Sequence, residues 1–464
     1  MIIRPERMMK SSVYNLVVPG ENGNSLLFNT LTKSFLVVDK ELRTGLEENS
    51  FGGMDPGMIS GLHELGIIVD DEADESKVYA LKHNLHKYST DTSSFLIFPT
   101  HSCNLRCPYC YETVMDIPKS KSMDRETIAR TKAFIKGMTL QNRSSRVVLG
   151  FYGGEPLLRS DICLDIMEDI FNWAGERGIS YFCVLTTNGT LLSPSVSKRM
   201  HPFLSSVHFT LDGPAEKHNA KRFYMDNSGT YYDVLDAVSR AKDKKIIITV
   251  RINLDDDASE EDVSEILADL EERGFKDRPG FFIYFAHVTA PNTCFNEYHD
   301  DSRETEITDM IEKTTRYWGL ANSLGWGGSL TNRSGEEHGY ISGSPVPCEY
   351  IRNGCYVVDP LADIYLCPAY CGMKEYSAGA IDENGMPEWN SSYFRTIENN
   401  PVSSVRCKKC NILPVCNGGC PFEFLRGDEE AMENYCRYMK KKIEKKIVSH
   451  FRYHYPEKYR EVFS

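Results

Sequence analysis

The sequence has no long hydrophobic run. No apolar stretch in the 464 residues approaches the roughly 20 that a membrane-spanning helix requires. Residues 1–5 do not have the pattern that begins a signal peptide. We therefore expect a cytoplasmic protein with no membrane partner.

The sequence also lacks an excess of positive charge. Its 53 basic residues are outnumbered by 66 acidic ones, which gives a net charge of −13. A strongly acidic chain repels the phosphate backbone, which argues against nucleic acid as the general partner.

Cysteine, in contrast, is abundant and clustered. The chain has 15 cysteines, and thiols in a cytosolic protein stay reduced, so metal binding or catalysis is a better explanation for them than disulfides. The length suits about three domains.

Three of these cysteines follow the apolar run 95–100. Cys103, Cys107 and Cys110 have the spacing C-x3-C-x2-C on a loop that leaves a predicted strand, so their thiolates can converge. A four-iron cluster normally takes four thiolates, and three would leave one iron open for chemistry. A structural zinc knuckle and three reduced core cysteines are the alternatives.

Three further motifs end predicted strands downstream: GGEP at 153–156, TNG at 187–189 and TLDGP at 210–214. Together with the cysteine loop and its aromatic Tyr109, this ordered set resembles the signature of the radical S-adenosylmethionine (radical SAM) superfamily. In that family the open iron of the cluster is chelated by the methionine part of SAM.

The resemblance assigns roles to individual residues. Cys103, Cys107 and Cys110 would hold the catalytic [4Fe-4S] cluster, and the GGEP turn would grip the SAM amino group. Arg251 would pair with the SAM carboxylate, although an ordinary surface ion pair is the alternative for this residue. The implied SAM-binding residues are Tyr109, Gly153, Gly154, Glu155, Thr210 and Arg251.

Strand-like and helix-like runs alternate through the middle of the chain. Such alternation predicts βαβ units and a parallel sheet. Six repeats within residues 90–330 favour the α/β fold of the superfamily, a partial (β/α)6 barrel, with the motifs at its carboxyl-end rim. The predicted strands lie near 94–99, 146–152, 180–186, 206–211, 246–253 and 281–287, and helices over 125–138, 162–177, 231–241 and 260–273.

Residues 1–80 form a predicted small α+β unit. A hairpin over 13–29, a strand at 34–38, helices from 39 and around 59–65 and a return strand at 67–69 resemble the winged-helix-like domains that recognise peptides. Those domains bind a leader peptide as an added strand on a sheet edge. A packing extension of the barrel is the alternative. We expect the acidic stretch 70–75 to be a solvated connector.

Residues 340–464 contain the second cysteine cluster. Its spacing, C-x2-C-x5-C-x3-C-x15-C from Cys407 to Cys436, resembles the SPASM domain, which carries two auxiliary [4Fe-4S] clusters; a zinc ribbon is the alternative. We expect Cys163, Cys183 and Cys294 to be core residues, and Cys371 has no assigned role. The resemblance implies one ligand set of Cys348, Cys355, Cys367 and Cys420 and another of Cys407, Cys410, Cys416 and Cys436.

The resemblance implies an enzyme that cleaves SAM to a 5′-deoxyadenosyl radical, with electrons from a flavodoxin or ferredoxin. We expect the substrate to be a ribosomally made precursor peptide that gains a thioether cross-link. The alternative is an anaerobic sulfatase-maturating enzyme, which oxidises cysteine or serine to formylglycine, but Pro368 stands here where that family has its aspartate base. A non-catalytic electron carrier is the third hypothesis, which the intact SAM motifs disfavour.

Overall fold

The computed structural model describes residues 8–114, 117, 120–242, 245–287, 302–330, 344, 346–422 and 429–464. Within these ranges no helix is both long and apolar enough to cross a membrane.

The strands are short, with three to eight residues each. They are β1 Met9–Ser11, β2 Asn15–Pro19, β3 Ser25–Asn29, β4 Phe35–Val38, β5 Ile68–Asp70, β6 Thr92–Ile97, β7 Arg146–Phe151, β8 Ser180–Thr186, β9 Ser206–Leu211, β10 Ile247–Leu254, β11 Phe281–His287, β12 Cys355–Val358, β13 Asp363–Tyr365, β14 Gly379–Ile381 and β15 Pro387–Trp389.

The helices cover both faces of the N-terminal sheet and the outer face of the central sheet. They are α1 Lys40–Glu48, α2 Pro56–Glu64, α3 Glu75–Lys87, α4 Tyr111–Val114, α5 Arg125–Gln141, α6 Ser160–Glu176, α7 Pro194–Met200, α8 Ala215–Lys221, α9 Tyr231–Ala241, α10 Glu260–Glu272, α11 Ser302–Ser323, α12 Ser391–Glu398, α13 Val405–Lys408, α14 Leu413–Cys416, α15 Glu429–His454 and α16 Pro456–Phe463.

The central sheet confirms the predicted α/β architecture. Strands β6 to β11 lie side by side in chain order and every neighbouring pair is parallel. The observed bounds of these strands differ from the predicted ones by at most two residues. This succession of parallel strands, with helices between them, is the partial barrel that the sequence predicts.

The strands alternate between an outer apolar row and an inner, more polar row. On β9 the side chains of Val207 and Phe209 are buried in the core that packs on the helices. Their neighbours His208 and Thr210 belong to the other row, which is only half-buried. Because successive side chains point to opposite faces of a strand, the inner row lines the concave side of the barrel.

Capping side chains fix where the outer helices begin. Asp124 accepts a hydrogen bond from the Thr127 N–H at 2.8 Å, and Ser193 caps α7 with Pro194 at its first position. Ser259 and Asp262 form a reciprocal capping box at α10. Each cap satisfies backbone donors that the first helical turn leaves without partners.

The central sheet continues across the predicted boundary at residues 330–340. Strand β12 adds to the barrel beside β6, with Cys355 opposite Ser94, and β13, β14 and β15 extend it antiparallel. The cysteine-rich part therefore shares a sheet with the barrel, and its first strand runs along the one that precedes the cysteine loop.

The N-terminal unit is a three-stranded antiparallel sheet in the order β2, β3, β4, with β1 and β5 paired separately. One face of the sheet packs with α1 and α2. The other shares a core with α15 and α16, where Leu16 and Phe28 contact the group that includes Ile447 and Phe451. The sequence pattern does not predict α3, because an acidic stretch precedes it and its hydrophobic periodicity is weak.

Candidate active site

The cysteine loop follows β6 directly and is partly buried. The Leu105 N–H donates to Cys103 Sγ at 3.5 Å, and the Cys110 N–H bonds to the Cys107 carbonyl at 3.1 Å. Burial, with smaller contributions from the charges of Glu155, Cys107 and Cys110, raises the pKa of Cys103 to about 12. Without a metal, such a thiol stays protonated and inert.

Three thiols with this spacing fit an iron–sulfur cluster as a donor set. In the described ranges, no three His, Cys, Asp or Glu side chains are arranged so that they could bind a single metal ion. Cluster ligands lie farther apart than the ligands of one ion, because each cysteine binds a different iron.

The GGEP turn lies directly against the cysteine loop. Gly153 has φ +116°, and a Cβ on Gly154 would come within 2.2 Å of the Ser102 carbonyl oxygen. The Glu155 N–H donates to the same oxygen at 2.8 Å. Glycine is therefore required here because the backbones of the two motifs touch.

Glu155 joins the second and third motifs. Its carboxylate is fully buried and accepts hydrogen bonds from Thr187 Oγ1 at 2.6 Å and from the Asn188 N–H at 2.8 Å. Asn188 Nδ2 in turn donates to Asn104 Oδ1 on the cysteine loop at 2.9 Å. Burial raises the pKa of Glu155. A contact of Glu155 with SAM stays a prediction.

Tyr109 is held by a network that the sequence analysis missed. Its hydroxyl donates to Asp212 Oδ2 and accepts from Arg222 Nη1 at 2.8 Å. Asp212 is nearly inaccessible to solvent, lies 4.0 Å from Arg222 Nη1 and also accepts from Asn253 Nδ2 at 2.9 Å. The sequence gives only a weak signal for Arg222, which lies eight residues after the TLDGP motif and outside every motif.

Thr210 and Arg251 lie opposite each other on β9 and β10, in the inner row. Arg251 Nε donates to Asn253 Oδ1 at 2.6 Å, so Arg251 joins the network around Tyr109. His208, one inner position before Thr210, is a second residue missed from the sequence. Burial lowers the pKa of His208 to about 4, so its imidazole is neutral at physiological pH.

The structure brings four C-terminal cysteines around one cavity of about 170 Å³. Burial and the charges of the other three raise the pKa of Cys416 to about 12, which again requires a metal for the thiolate form. The four cysteines are the second predicted ligand set: Cys407, Cys410, Cys416 and Cys436.

Three members of the other predicted set also lie close to one another. Burial and the charges of Cys348 and Cys420 raise the pKa of Cys367 to about 12. The fourth member, Cys355, is buried on β12, where its Sγ accepts from Arg352 Nη2 at 3.3 Å. Its part in a cluster stays a prediction.

The remaining cysteines have apolar surroundings. Cys163 and Cys183 are fully buried in the main core, as predicted. Cys371 packs with Phe98, Val357 and Tyr365 under the cysteine-rich part. Cys294 lies outside the described residues. None of the cysteines in the described ranges forms a disulfide.

A buried carboxyl pair in the β12–β13 hairpin predicts a pH dependence. Burial, with the nearby charge of Asp363, raises the pKa of Asp359 to about 7. The native state thus binds this proton more tightly than the unfolded chain does. Its stabilisation is complete below about pH 4 and is lost as the pH rises through 7, an effect of about 2 to 4 kcal/mol.

We expect the melting temperature of the holoprotein to fall between pH 5 and pH 8, and to fall less in Asp359→Asn. The amide oxygen of this variant still accepts the Leu361 and Asp363 N–H groups that Asp359 Oδ1 accepts. Differential scanning calorimetry under anaerobic conditions measures this difference. Equal slopes in both proteins would assign the pH dependence to another group.

Comparison with known proteins agrees with the assembled site. A sequence profile of the Radical SAM superfamily matches residues 97–270. The chain is similar to the cysteine-type anaerobic sulfatase-maturating enzyme of Clostridium novyi, at 24% identity over 70% of this chain and 87% of that protein. It is also similar to the radical SAM cyclopropyl synthase TigE of Paramaledivibacter caminithermalis, at 20% identity over 85% of this chain and 82% of that protein.

Among solved structures, native anSMEcpe with bound AdoMet and Cp18Cys peptide has the same fold, with a TM-score of 0.54 and 21% identity over 79% of this chain and 97% of that one. The profile match identifies residues 97–270 as a radical SAM domain, and the four motifs of this domain meet at one rim of the parallel sheet. The chain is therefore an enzyme with a radical SAM domain, a kind of domain that uses S-adenosylmethionine and a four-iron cluster.

Proposed function

We propose that this protein is a radical SAM peptide maturase that forms a thioether cross-link in a ribosomally made precursor peptide. The main support for this proposal is the N-terminal sheet. One edge of this sheet is open in the described chain, and the sheet shares a core with the cysteine-rich C-terminal part. Two similar proteins are named sulfatase-maturating enzymes, that is, enzymes that act on a protein. Their names therefore support a polypeptide substrate.

Three clusters complete the proposed enzyme. Cys103, Cys107 and Cys110 would hold the catalytic one, and the two C-terminal cysteine sets would hold the auxiliary ones. When bound, SAM and its cluster supply the radical that abstracts hydrogen from the substrate. A flavodoxin or ferredoxin would be the reductant, and a reducing cytoplasm would keep the ligand cysteines out of disulfides.

The protein's own residues would position SAM and keep water away. Thr210 and Arg251 lie side by side on the inner row of the barrel, where a hydroxyl and a guanidinium suit the polar end of SAM. The hydrogen bonds from Arg222 and to Asp212 fix the Tyr109 ring beside the last cysteine of the loop. Such prior positioning removes conformational freedom before the reaction begins.

Strand β4 is the edge that suits a leader peptide. In the described chain it pairs with β3 on one side and with no strand on the other. The opposite edge strand, β2, ends in Pro19, which lacks an N–H, and the carbonyl of Asn15 already accepts from Asn411. Backbone bonding to β4 would supply affinity for an extended peptide.

The hydrogen-bond register of β4 identifies which of its residues face outward. The Asn29 N–H bonds to the Ser34 carbonyl opposite it at 2.9 Å. Because bonded and non-bonded pairs alternate in an antiparallel ladder, the N–H groups of Phe35 and Val37 point away from β3.

We expect Val37→Pro to weaken leader binding by about tenfold or more, since it removes an outward donor and adds a bulky ring. Val37→Ala retains the N–H and is the matched control. Fluorescence anisotropy with the labelled leader of a candidate precursor peptide, chosen from short reading frames near the gene, measures both. If the alanine variant binds as weakly as the proline variant, the side chain and not the backbone edge recognises the leader.

The second candidate function is sulfatase maturation. It is favoured by the sulfatase-maturating enzymes of Clostridium perfringens, which match at 24–25% identity over 70% of this chain. Pro368, which follows Cys367, opposes it, because a proline offers no group that accepts a proton from the substrate.

Mass spectrometry of an anaerobic reaction with reconstituted enzyme, SAM and reductant separates the two candidates. Peptide maturation predicts that a small candidate precursor peptide loses two hydrogens and one alkylatable thiol while 5′-deoxyadenosine accumulates. Conversion of a sulfatase-derived Cys or Ser peptide to the aldehyde, with the small peptide unchanged, would favour the second function.

A further inference from the structure

The cavity around Cys407, Cys410, Cys416 and Cys436 has a basic rim. Arg406, Lys409 and Lys440 line it with the cysteines, and all three are exposed. The lining contains no aspartate or glutamate. This concentration of positive charge contrasts with the chain as a whole, whose net charge is −13.

The rim cations keep their charge available to a partner. Within the described residues, none of Arg406, Lys409 and Lys440 forms an ion pair, whereas many other lysines and arginines do. Val405, which precedes Arg406 on α13, is 82% exposed. An exposed apolar residue among unpaired cations is the composition of a small, reversible docking surface.

We propose that this face, named here the basic rim and made up of Val405, Arg406, Lys409 and Lys440, is the docking surface for a small acidic electron carrier. The inference rests on the proposed function in one respect, namely that the four cysteines hold an auxiliary cluster. A carrier bound here would lie directly over that cluster, and opposite charges would steer it to the surface of an otherwise acidic enzyme. Redox encounters of this kind bury little surface and depend strongly on charge.

The partner is a protein carrier because of where the rim lies. The rim surrounds the C-terminal cysteine cavity, whereas the SAM motifs lie at the carboxyl ends of β6 to β9. A peptide substrate must reach the SAM motifs, and no residue of those motifs lines the cavity, so an acidic peptide bound at the rim alone would not be presented to the chemistry.

The test uses the full-length holoenzyme and an oxidised recombinant flavodoxin of net negative charge, with binding measured by fluorescence anisotropy. We expect the affinity to fall by about tenfold or more between 50 and 300 mM NaCl, because salt screens exposed charges. The triple variant Arg406→Glu, Lys409→Glu, Lys440→Glu should bind at least about tenfold more weakly than the wild type.

The matched control makes the same change of charge elsewhere. Lys198, Arg199 and Lys245 are exposed and distant in sequence from the rim. Their triple substitution by glutamate should change the affinity by less than about threefold, since only long-range charge is altered. Equal weakening in the two triple variants, or binding that does not respond to salt, would overturn the proposal.

Cross-linking of the wild type provides a second measurement if the rim variant fails to bind iron. A zero-length carbodiimide joins carboxylates of the flavodoxin to lysines it contacts, and we expect the cross-links to concentrate on Lys409 and Lys440. Cross-links spread over other lysines, or displacement of flavodoxin by the precursor peptide, would overturn it. Binding needs no turnover, so these results do not depend on which peptide the enzyme modifies.

Discussion

Replacing Cys107 with alanine should abolish formation of 5′-deoxyadenosine and remove about four of twelve irons per chain. Cys107 is the middle cysteine of the loop that follows β6, and its thiol is one of three that would hold the catalytic cluster. Two cysteines cannot retain a cluster that must also leave one iron open for SAM. Iron analysis after anaerobic reconstitution and chromatographic detection of 5′-deoxyadenosine measure the two effects.

Two control variants show which cluster is lost. Cys163→Ala removes a thiol in the main core and should leave iron content and SAM cleavage unchanged, with about 1 kcal/mol less stability. Cys416→Ala should remove a different four irons and keep SAM cleavage without peptide product. Twelve irons in the Cys107 variant, or zinc in the C-terminal cavity, would refute the assignment of the clusters.

Much of the catalytic half could be predicted from the sequence because its signals are local. A strand that packs on helices must carry apolar residues at alternate positions, as Val207 and Phe209 do. Gly154 had to be glycine because its backbone touches Ser102. Such constraints act within a few residues of the chain. The motifs and their positions at the strand ends can therefore be recognised from the sequence alone.

The rest depends on contacts between distant parts of the chain. Arg222 lies 113 positions from Tyr109, and no local pattern links the two residues. The pairing of β12 with β6 is equally invisible, because a four-residue apolar strand carries no signal for its partner. The acidic residues at 70–75 have the composition of a solvated linker, which is why the sequence predicts one. In the structure Glu75 begins α3, is buried and accepts a hydrogen bond from Ser12.

Among the contacts that the sequence does not predict, those of Arg222 with Tyr109 and Asp212 should have the largest effect when they are removed. Arg222→Gln should reduce SAM cleavage by about 100-fold, because it removes a hydrogen bond to Tyr109 and leaves the buried Asp212 without its nearby cation. The same loss should lower the free energy of unfolding by about 3 kcal/mol. Arg199→Gln on the exposed surface of α7 is the control and should change neither quantity.

A double variant separates positioning from stability. Asp212→Asn together with Arg222→Gln removes both charges, so no buried carboxylate remains unpaired and most of the stability should return. SAM cleavage should stay low, because the Tyr109 hydroxyl still lacks the guanidinium that fixes it, and the affinity for SAM should fall with it. Recovery of full cleavage along with stability would instead show that Arg222 acts only by neutralising Asp212.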